Sequence, residues 1–311
     1  MAGTLLLLAF ALRNVEWNTL ASDLRTADWR WWLAGLTAGV LVQVVAAVRW
    51  GSLARPIGFR LSTATFIRRF FEGAFFSLCL PGSIGGDVVK AFRLSDTVDG
   101  RLLAGCTILA DRITGLTALL VLAFTALVSQ HYTLPVTATI AVGTALLLLA
   151  MTGAFLGVRT IDRVIARLPE NHRVKRFLIY LLPYQMRPSL IVRALAWSMV
   201  VQMGGAFAVS LVGRSVGVDL PLAVWFGSVP LVAVAMVLPI SISGVGVREG
   251  GLALLLKPHG VAPEQAVAIG VLWFLTTIVC GLLGGASFLA ERRPATISLP
   301  QGLQSTAAPP G

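Results

Sequence analysis

The chain has 311 residues, 56% of them hydrophobic and 13% charged, and a mean hydropathy of +0.83. Such a composition excludes a soluble globular domain and implies one all-α polytopic membrane domain. The net charge of +11 does not indicate nucleic acid, because the basic residues border apolar runs, where positive-inside topology accounts for them.

The chain opens with an apolar run from Ala2 to Leu12, closed by Arg13. At 1.5 Å per residue these cover only about 17 Å of a roughly 30 Å hydrocarbon core. Two readings stay open: part of a helix whose start is missing, or an interfacial segment. Residues 14–31 read as a polar loop ending in Trp29, Trp31 and Trp32, the pattern of an aromatic belt. Full spans are expected at Leu33–Val48 and at 103–129, 134–156, 189–212 and 262–289. Between them lie two regions broken by Gly and Pro, 62–94 and 222–256. The tail from Pro294 reads as disordered. This gives an N-terminal segment and loop (1–31), a first repeat (32–129), a linking span with a basic loop (130–188), a second repeat (189–290) and a tail (291–311).

Charge sets the orientation. Eight Lys/Arg fall between Arg49 and Arg101 and eight between Arg159 and Arg193, so these sides are cytoplasmic. The loop at Gln130–Thr133 has none, and those near Arg214 and Lys257 have one each, so they are exterior. By parity, each broken region enters and leaves on one side. Two oppositely pointing re-entrant hairpins, each flanked by full spans, form an inverted-topology repeat, the architecture of transporters whose site lies at the breaks. Broken backbone at that depth must be buried in protein or line a wet cavity.

The breaks share a pattern. Pro81-Gly-Ser-Ile-Gly-Gly-Asp-Val-Val-Lys90 and Pro239-Ile-Ser-Ile-Ser-Gly-Val-Gly-Val-Arg248 both fit P-x-S-I-x-G-x-x-V-[K/R]. A half-helix starting near Ile84, with Ser83 as N-cap, presents the first free N–H groups of Ile84, Gly85 and Gly86. Such an end attracts an anion, and glycine allows close approach. Lys90 and Arg93 lie at i and i+3, and Asp87 precedes Lys90 by three. Ser243, Gly244, Gly246 and Arg248 are candidates to repeat the arrangement. Phosphate recognition is one reading of these residues; snorkelling of Lys90 and Arg93 to the interface is the other.

Further ionisable groups sit within apolar segments. Asp111 and Arg112 fall inside a span, and Arg248 and Glu249 follow the second break. Such groups normally face a protein interior or a cavity. They read either as structural ion pairs or as a relay in which Arg112 and Arg248 hold a phosphate in turn, with Asp111 and Glu249 limiting its affinity. Glu72 has Arg68 and Arg69 as ready partners. Ile161, Val164, Ile165 and Leu168 recur at helical spacing among Arg159, Arg163 and Arg167, which suits an interfacial helix or a solvated basic loop. Gly281, Gly284 and Gly285, with the GxxxG at Gly246–Gly250, read as packing surfaces. Cys79, Cys106 and Cys280 read as packing residues, and His131, His172 and His259 lack metal-ligand spacing. No cofactor, metal or catalytic residue is expected, and the chain does not read as an enzyme.

The motifs L-P-G-S-I-G-G-D-V-V-K-A-F-R at 80–93, D-R-I-T-G-L at 111–116 and P-I-S-I-S-G-V-G-V-R-E-G at 239–250 resemble the lysylphosphatidylglycerol synthase transmembrane-region family. The resemblance spans roughly residues 30–290. That family includes the flippase half of the bacterial multiple peptide resistance factor and stand-alone proteins linked to polyprenyl-glycolipid or hopanoid pathways. It implies a flippase-like protein of the cytoplasmic membrane, and it carries a role to Gly85, Gly86, Asp87, Lys90, Arg93, Arg112, Gly244, Gly246, Arg248 and Glu249. The expected partner is an anionic or polyprenyl-phosphate lipid, with a lipid-modifying enzyme or glycosyltransferase as a further partner. The alternative is a non-transporting scaffold that presents lipid to such an enzyme. The family's soluble aminoacyltransferase half has no counterpart in these residues, so lipid synthesis is not implied, and the short first apolar run departs from the family's full first helix.

Overall fold

The computed structural model describes residues 16–79, 85–129, 143, 145, 163–169, 173–185, 187–237 and 244–291. Regular structure among them is helical throughout: α1 (Trp17–Thr26), α2 (Trp29–Ala54), α3 (Thr63–Cys79), α4 (Gly85–Leu94), α5 (Val98–Ser129), α6 (Arg173–Gln185), α7 (Pro188–Ser215), α8 (Leu222–Val237), α9 (Val247–Leu256) and α10 (Pro263–Ala290). With 26, 32, 28 and 28 residues, α2, α5, α7 and α10 rise about 39–48 Å, more than the roughly 30 Å hydrocarbon core. All four are apolar enough to cross a membrane. They are the spans expected at 33–48, 103–129, 189–212 and 262–289, extended by a few residues at most ends. Of the span expected at 134–156 only residues 143 and 145 are described, and the first apolar run and the tail from Pro294 lie outside the described residues.

Both broken regions fold as pairs of antiparallel helices. In the first, Gly86 of α4 lies against Gly73 and Ser77 of α3, while Arg93, further along α4, meets Glu72. In the second, Gly244 lies against Met236 and Gly251 against Val232. The breaks themselves, residues 80–84 and 238–243, fall outside the described residues, and Ser83 and Ser243 with them.

The chain forms two compact units. One takes the described residues of Met1–Val45, Gly115–Phe155 and Leu195–Cys280. Its core joins Trp225, Val229 and Val232 of α8, Leu252 and Leu256 of α9, Val209 and Val212 of α7, and Val267, Ile269 and Leu272 of α10. Here the stretch expected as a polar loop is instead the helix α1. It buries Leu20 in this core and packs Leu24 against it, so three turns gain an apolar seat that a window average conceals. Trp29 and Trp31 remain exposed, whereas the Trp32 indole Nε1 donates to the Leu272 carbonyl (3.4 Å).

The other unit takes the described residues of Ala46–Thr114, Leu156–Ala194 and Gly281–Gly311. Its core is built on Trp50, Leu53, Phe66, Leu94, Leu103 and Ile108, joined by Tyr184 of α6 and Leu190 of α7. Trp50 stands edge-on to Phe66 at 5.3 Å and its Nε1 donates to the Thr107 hydroxyl (2.9 Å), so its one polar group is satisfied. Lipid tails are as apolar as Leu, so close packing and polar pairs hold such helices together. Gly284 accordingly lies on the Phe71 carbonyl and Gly285 on the Phe75 ring, the packing surface expected of these glycines. In the basic region only residues 163–167 are described as helical before α6. α6 itself was not anticipated; it docks through the Tyr184 hydroxyl, which donates to the Leu53 carbonyl (3.0 Å), and through Arg176, 2.7 Å from Asp99. Cys106 and Cys280 are buried and unpaired.

Candidate anion-binding site

The α3–α4 hairpin sets the geometry. A Cβ on Gly86 would run into the Gly73 carbonyl and the Ser77 hydroxyl, so glycine here lets the two backbones touch. Lys90, one turn along α4, folds its stem over Gly73. Its ammonium lies 4.2 Å from the centre of the Phe70 ring and 5.7 Å from Trp50, where the ring quadrupoles favour a cation. It also donates to Asp87 Oδ1 (3.3 Å).

Asp87 stands in the first turn of α4, where a helix favours negative charge. Its second oxygen, Oδ2, accepts from Arg112 Nε of α5 (2.9 Å). One carboxylate is therefore shared by two cations, and the Arg112 side chain is 53% exposed. Gly85, Gly86, Asp87, Lys90 and Arg112, named from sequence, meet in one place. On the same helix, Val88, Ala91 and Phe92 of α4, with Val98, Arg101 and Leu102 of α5, line an open apolar groove of about 340 Å³.

Asp111, next to Arg112 in sequence, is elsewhere. Successive helical residues point about 100° apart, and Asp111 turns inward to a two-bond pair with Arg49 of α2: Nε to Oδ1 at 2.8 Å and Nη2 to Oδ2 at 2.9 Å. Both residues are buried. The structure thus gives Asp111 a role in holding α2 to α5. From sequence, Arg49 counts only among the basic residues that set the orientation.

Arg93 does not join Lys90 either. Its guanidinium donates to Glu72 (3.1 Å) and to Glu291, the residue after α10. Arg69 of α3 donates to the same two carboxylates, with Glu72 at 3.0 Å, and Arg68 stands 3.7 Å from Glu291. Glu72 is fully buried and takes Arg69, as the sequence suggested, together with Arg93. The Arg69 hydrogen bond, with the nearby charges of Arg69, Arg93 and Arg68, holds the Glu291 carboxyl below its ordinary range against the opposing effect of burial. Glu291 escaped sequence reasoning because it stands at the edge of the presumed tail.

The second motif is built differently. Gly244 and Gly246 have φ of +74° and +84°, a region that side-chain-bearing residues avoid, and the chain turns there before α9 begins. Glu249, in the first turn of α9, reaches back so that its Oε2 accepts the Gly246 N–H (2.6 Å), as a capping glutamate does. Its Oε1 accepts from Arg248 Nε and Nη2 (3.1 and 2.9 Å). Arg248 and Glu249 are 2% and 4% exposed, and the guanidinium lies 4.8 Å from the Phe274 ring. At the second motif the Gly246 N–H and Arg248 are thus both engaged by one carboxylate of the protein, Glu249. A cavity of about 160 Å³ in the same unit is lined by Gly, Val, Ala, Gln43, Trp273, Thr276, Thr277 and Cys280, with no charged group.

Four membrane-length apolar helices, two helical hairpins and buried ion pairs define a polytopic α-helical membrane protein. The chain belongs to the lysylphosphatidylglycerol synthase transmembrane-region family, whose profile matches residues 1–285. Comparison with curated proteins and with solved structures finds no match.

Proposed function

We propose that the protein translocates a phosphate-bearing lipid, such as an aminoacyl-phospholipid or polyprenyl-phosphate glycolipid, across the cytoplasmic membrane, without covalent chemistry. The observation that carries this reading is Asp87 shared between Lys90 and a half-exposed Arg112, on a helix that also lines an apolar groove. Phosphate is a stronger acceptor for a guanidinium than the side chains usually available in a membrane. A head group entering from the Arg112 side displaces Asp87 from one cation while keeping both, and the groove receives an acyl or prenyl tail. Asp87 then supplies the competing charge that lets the head group leave.

Helix lengths support two re-entrant hairpins in an inverted repeat. With 17 and 10 residues, α3 and α4 rise about 26 and 15 Å, less than the hydrocarbon core; α8 and α9, with 16 and 10 residues, rise about 24 and 15 Å. Alternating exposure of a site between such hairpins is how inverted-repeat transporters work.

The second reading is a scaffold that presents the lipid to a separate glycosyltransferase or lipid-modifying enzyme. It draws support from the Arg248–Glu249 pair, which leaves the second motif internally satisfied. Head-group translocation in proteoliposomes, across a panel of anionic phospholipids and polyprenyl phosphates, separates the two. Transport predicts movement of one lipid class and its loss in a folded Arg112→Ala variant. Specific lipid retention without movement establishes the scaffold.

A further inference from the structure

Away from Asp87, three arginines converge on one carboxylate. Glu291 Oε1 accepts from Arg69 Nη2 (3.0 Å) and faces Arg68 Nη1 (3.7 Å); Oε2 accepts from Arg69 and Arg93. Among the described residues Glu72 supplies the other carboxylate of this cluster, so three described cations meet two anions. The two anions are held differently. Glu72 is fixed within α3 and fully buried, whereas Glu291 follows the last residue of α10 and is reached from the side of Arg68, whose side chain is 41% exposed.

The nest is also under-filled. Arg69 is 2% exposed, yet among the described residues its Nε has no hydrogen-bond acceptor. A buried donor left unmade is costly, and neither Glu72 nor Glu291, both engaged by the Nη atoms, accepts from it. A tetrahedral oxyanion has three or four oxygens to distribute over the same donors. Without Glu291, three arginines would face Glu72 alone, an excess of positive charge suited to a phosphate group.

We propose that Arg68, Arg69 and Arg93 form a second phosphate-binding site, which Glu291 fills as a built-in competitor that an arriving phosphate group displaces. The phosphate is either free or the head group of a lipid. The site shares no residue with Asp87, Lys90 and Arg112, and its test does not depend on transport.

The experiment uses the full chain purified in detergent. Binding of inorganic phosphate is measured against chloride at matched ionic strength, and capture of phosphatidic acid is measured in nanodiscs otherwise made of phosphatidylcholine. Removing the competing carboxylate in Glu291→Gln is expected to tighten phosphate binding about tenfold, and adding Arg68→Gln to cancel the gain. If phosphatidic acid shows the gain and inorganic phosphate does not, the source is a lipid; the reverse identifies free phosphate. Affinities within about twofold of wild type for both probes overturn the proposal. If Glu291→Gln is unstable, phosphate at millimolar concentration is expected to restore its melting temperature, and failure to restore it also overturns the proposal.

Discussion

Residues 81–90 and 239–248 follow the same ten-residue pattern, yet their charges are arranged in opposite ways. In the first, the acid is Asp87, three residues before Lys90, and it is shared with Arg112, which stays half exposed. In the second, the acid is Glu249, one residue after Arg248, and it closes on both Arg248 and the Gly246 N–H, out of contact with solvent. Matching glycines also do different work. Gly86 is helical and is needed because α3 touches it, whereas Gly244 is needed for its positive φ. A shared sequence pattern therefore does not fix a shared arrangement of charges. The position of one carboxylate decides whether its cation stays half exposed, as Arg112 does, or is buried, as Arg248 is.

Removing each acid separates the two most sharply. Glu249→Gln leaves Arg248 buried without its counter-charge and is expected to cost about 3–5 kcal/mol. Asp87→Asn is expected to cost less, about 1–3 kcal/mol, because one of its two cations, Arg112, is half exposed while the other, Lys90, is largely buried. Denaturation of both variants in the same detergent checks this, and equal losses would remove the contrast. Asp111→Ala belongs with the larger effect, about 3–5 kcal/mol, since it strands buried Arg49.

The glycines sharpen the comparison at a smaller scale. Alanine at Gly86 is expected to cost about 1–3 kcal/mol by overpacking, and alanine at Gly244 about 1–2 kcal/mol by backbone strain. Asparagine distinguishes the causes: at Gly244 it tolerates the left-handed backbone better than alanine, whereas at Gly86 it is larger and worse. Melting temperatures ranked in that crossed order support two separate reasons for glycine.

The smallest effect is in pH. Because the Glu291 carboxyl titrates below its ordinary 4.5 in the folded protein, its contribution to stability is present in full above that value. It is lost as pH falls through the depressed folded value. Wild type is expected to lose more stability than Glu291→Gln on acidification below about pH 4.5, a difference absent at neutral pH.

Much of this fold was legible in the sequence. Hydropathy placed four spans within a few residues, and the Gly/Pro breaks marked both hairpins, because a membrane solvent forces length and apolarity on any crossing helix. The side-chain partners were not legible. Asp111 and Arg112 are neighbours in sequence but face apart, and the partner of Asp111 lies 62 residues away at Arg49. Glu249 reads as a second polar group beside a ligand until its reach back to Gly246 is seen. The amphipathic helix α1 was hidden because its few apolar residues, Leu20 and Leu24, gain meaning only from the core they meet.

The most direct test of the open site at the first motif is retention and translocation of a phosphate-bearing lipid by Asp87→Asn and Arg112→Ala in the same vesicles. Asp87→Asn removes the carboxylate that Lys90 and Arg112 share, so it is expected to hold the lipid more tightly and release it more slowly, while Arg112→Ala loses it. Equal loss in both variants, with both folded, would contradict an anion site in which Asp87 competes with the phosphate.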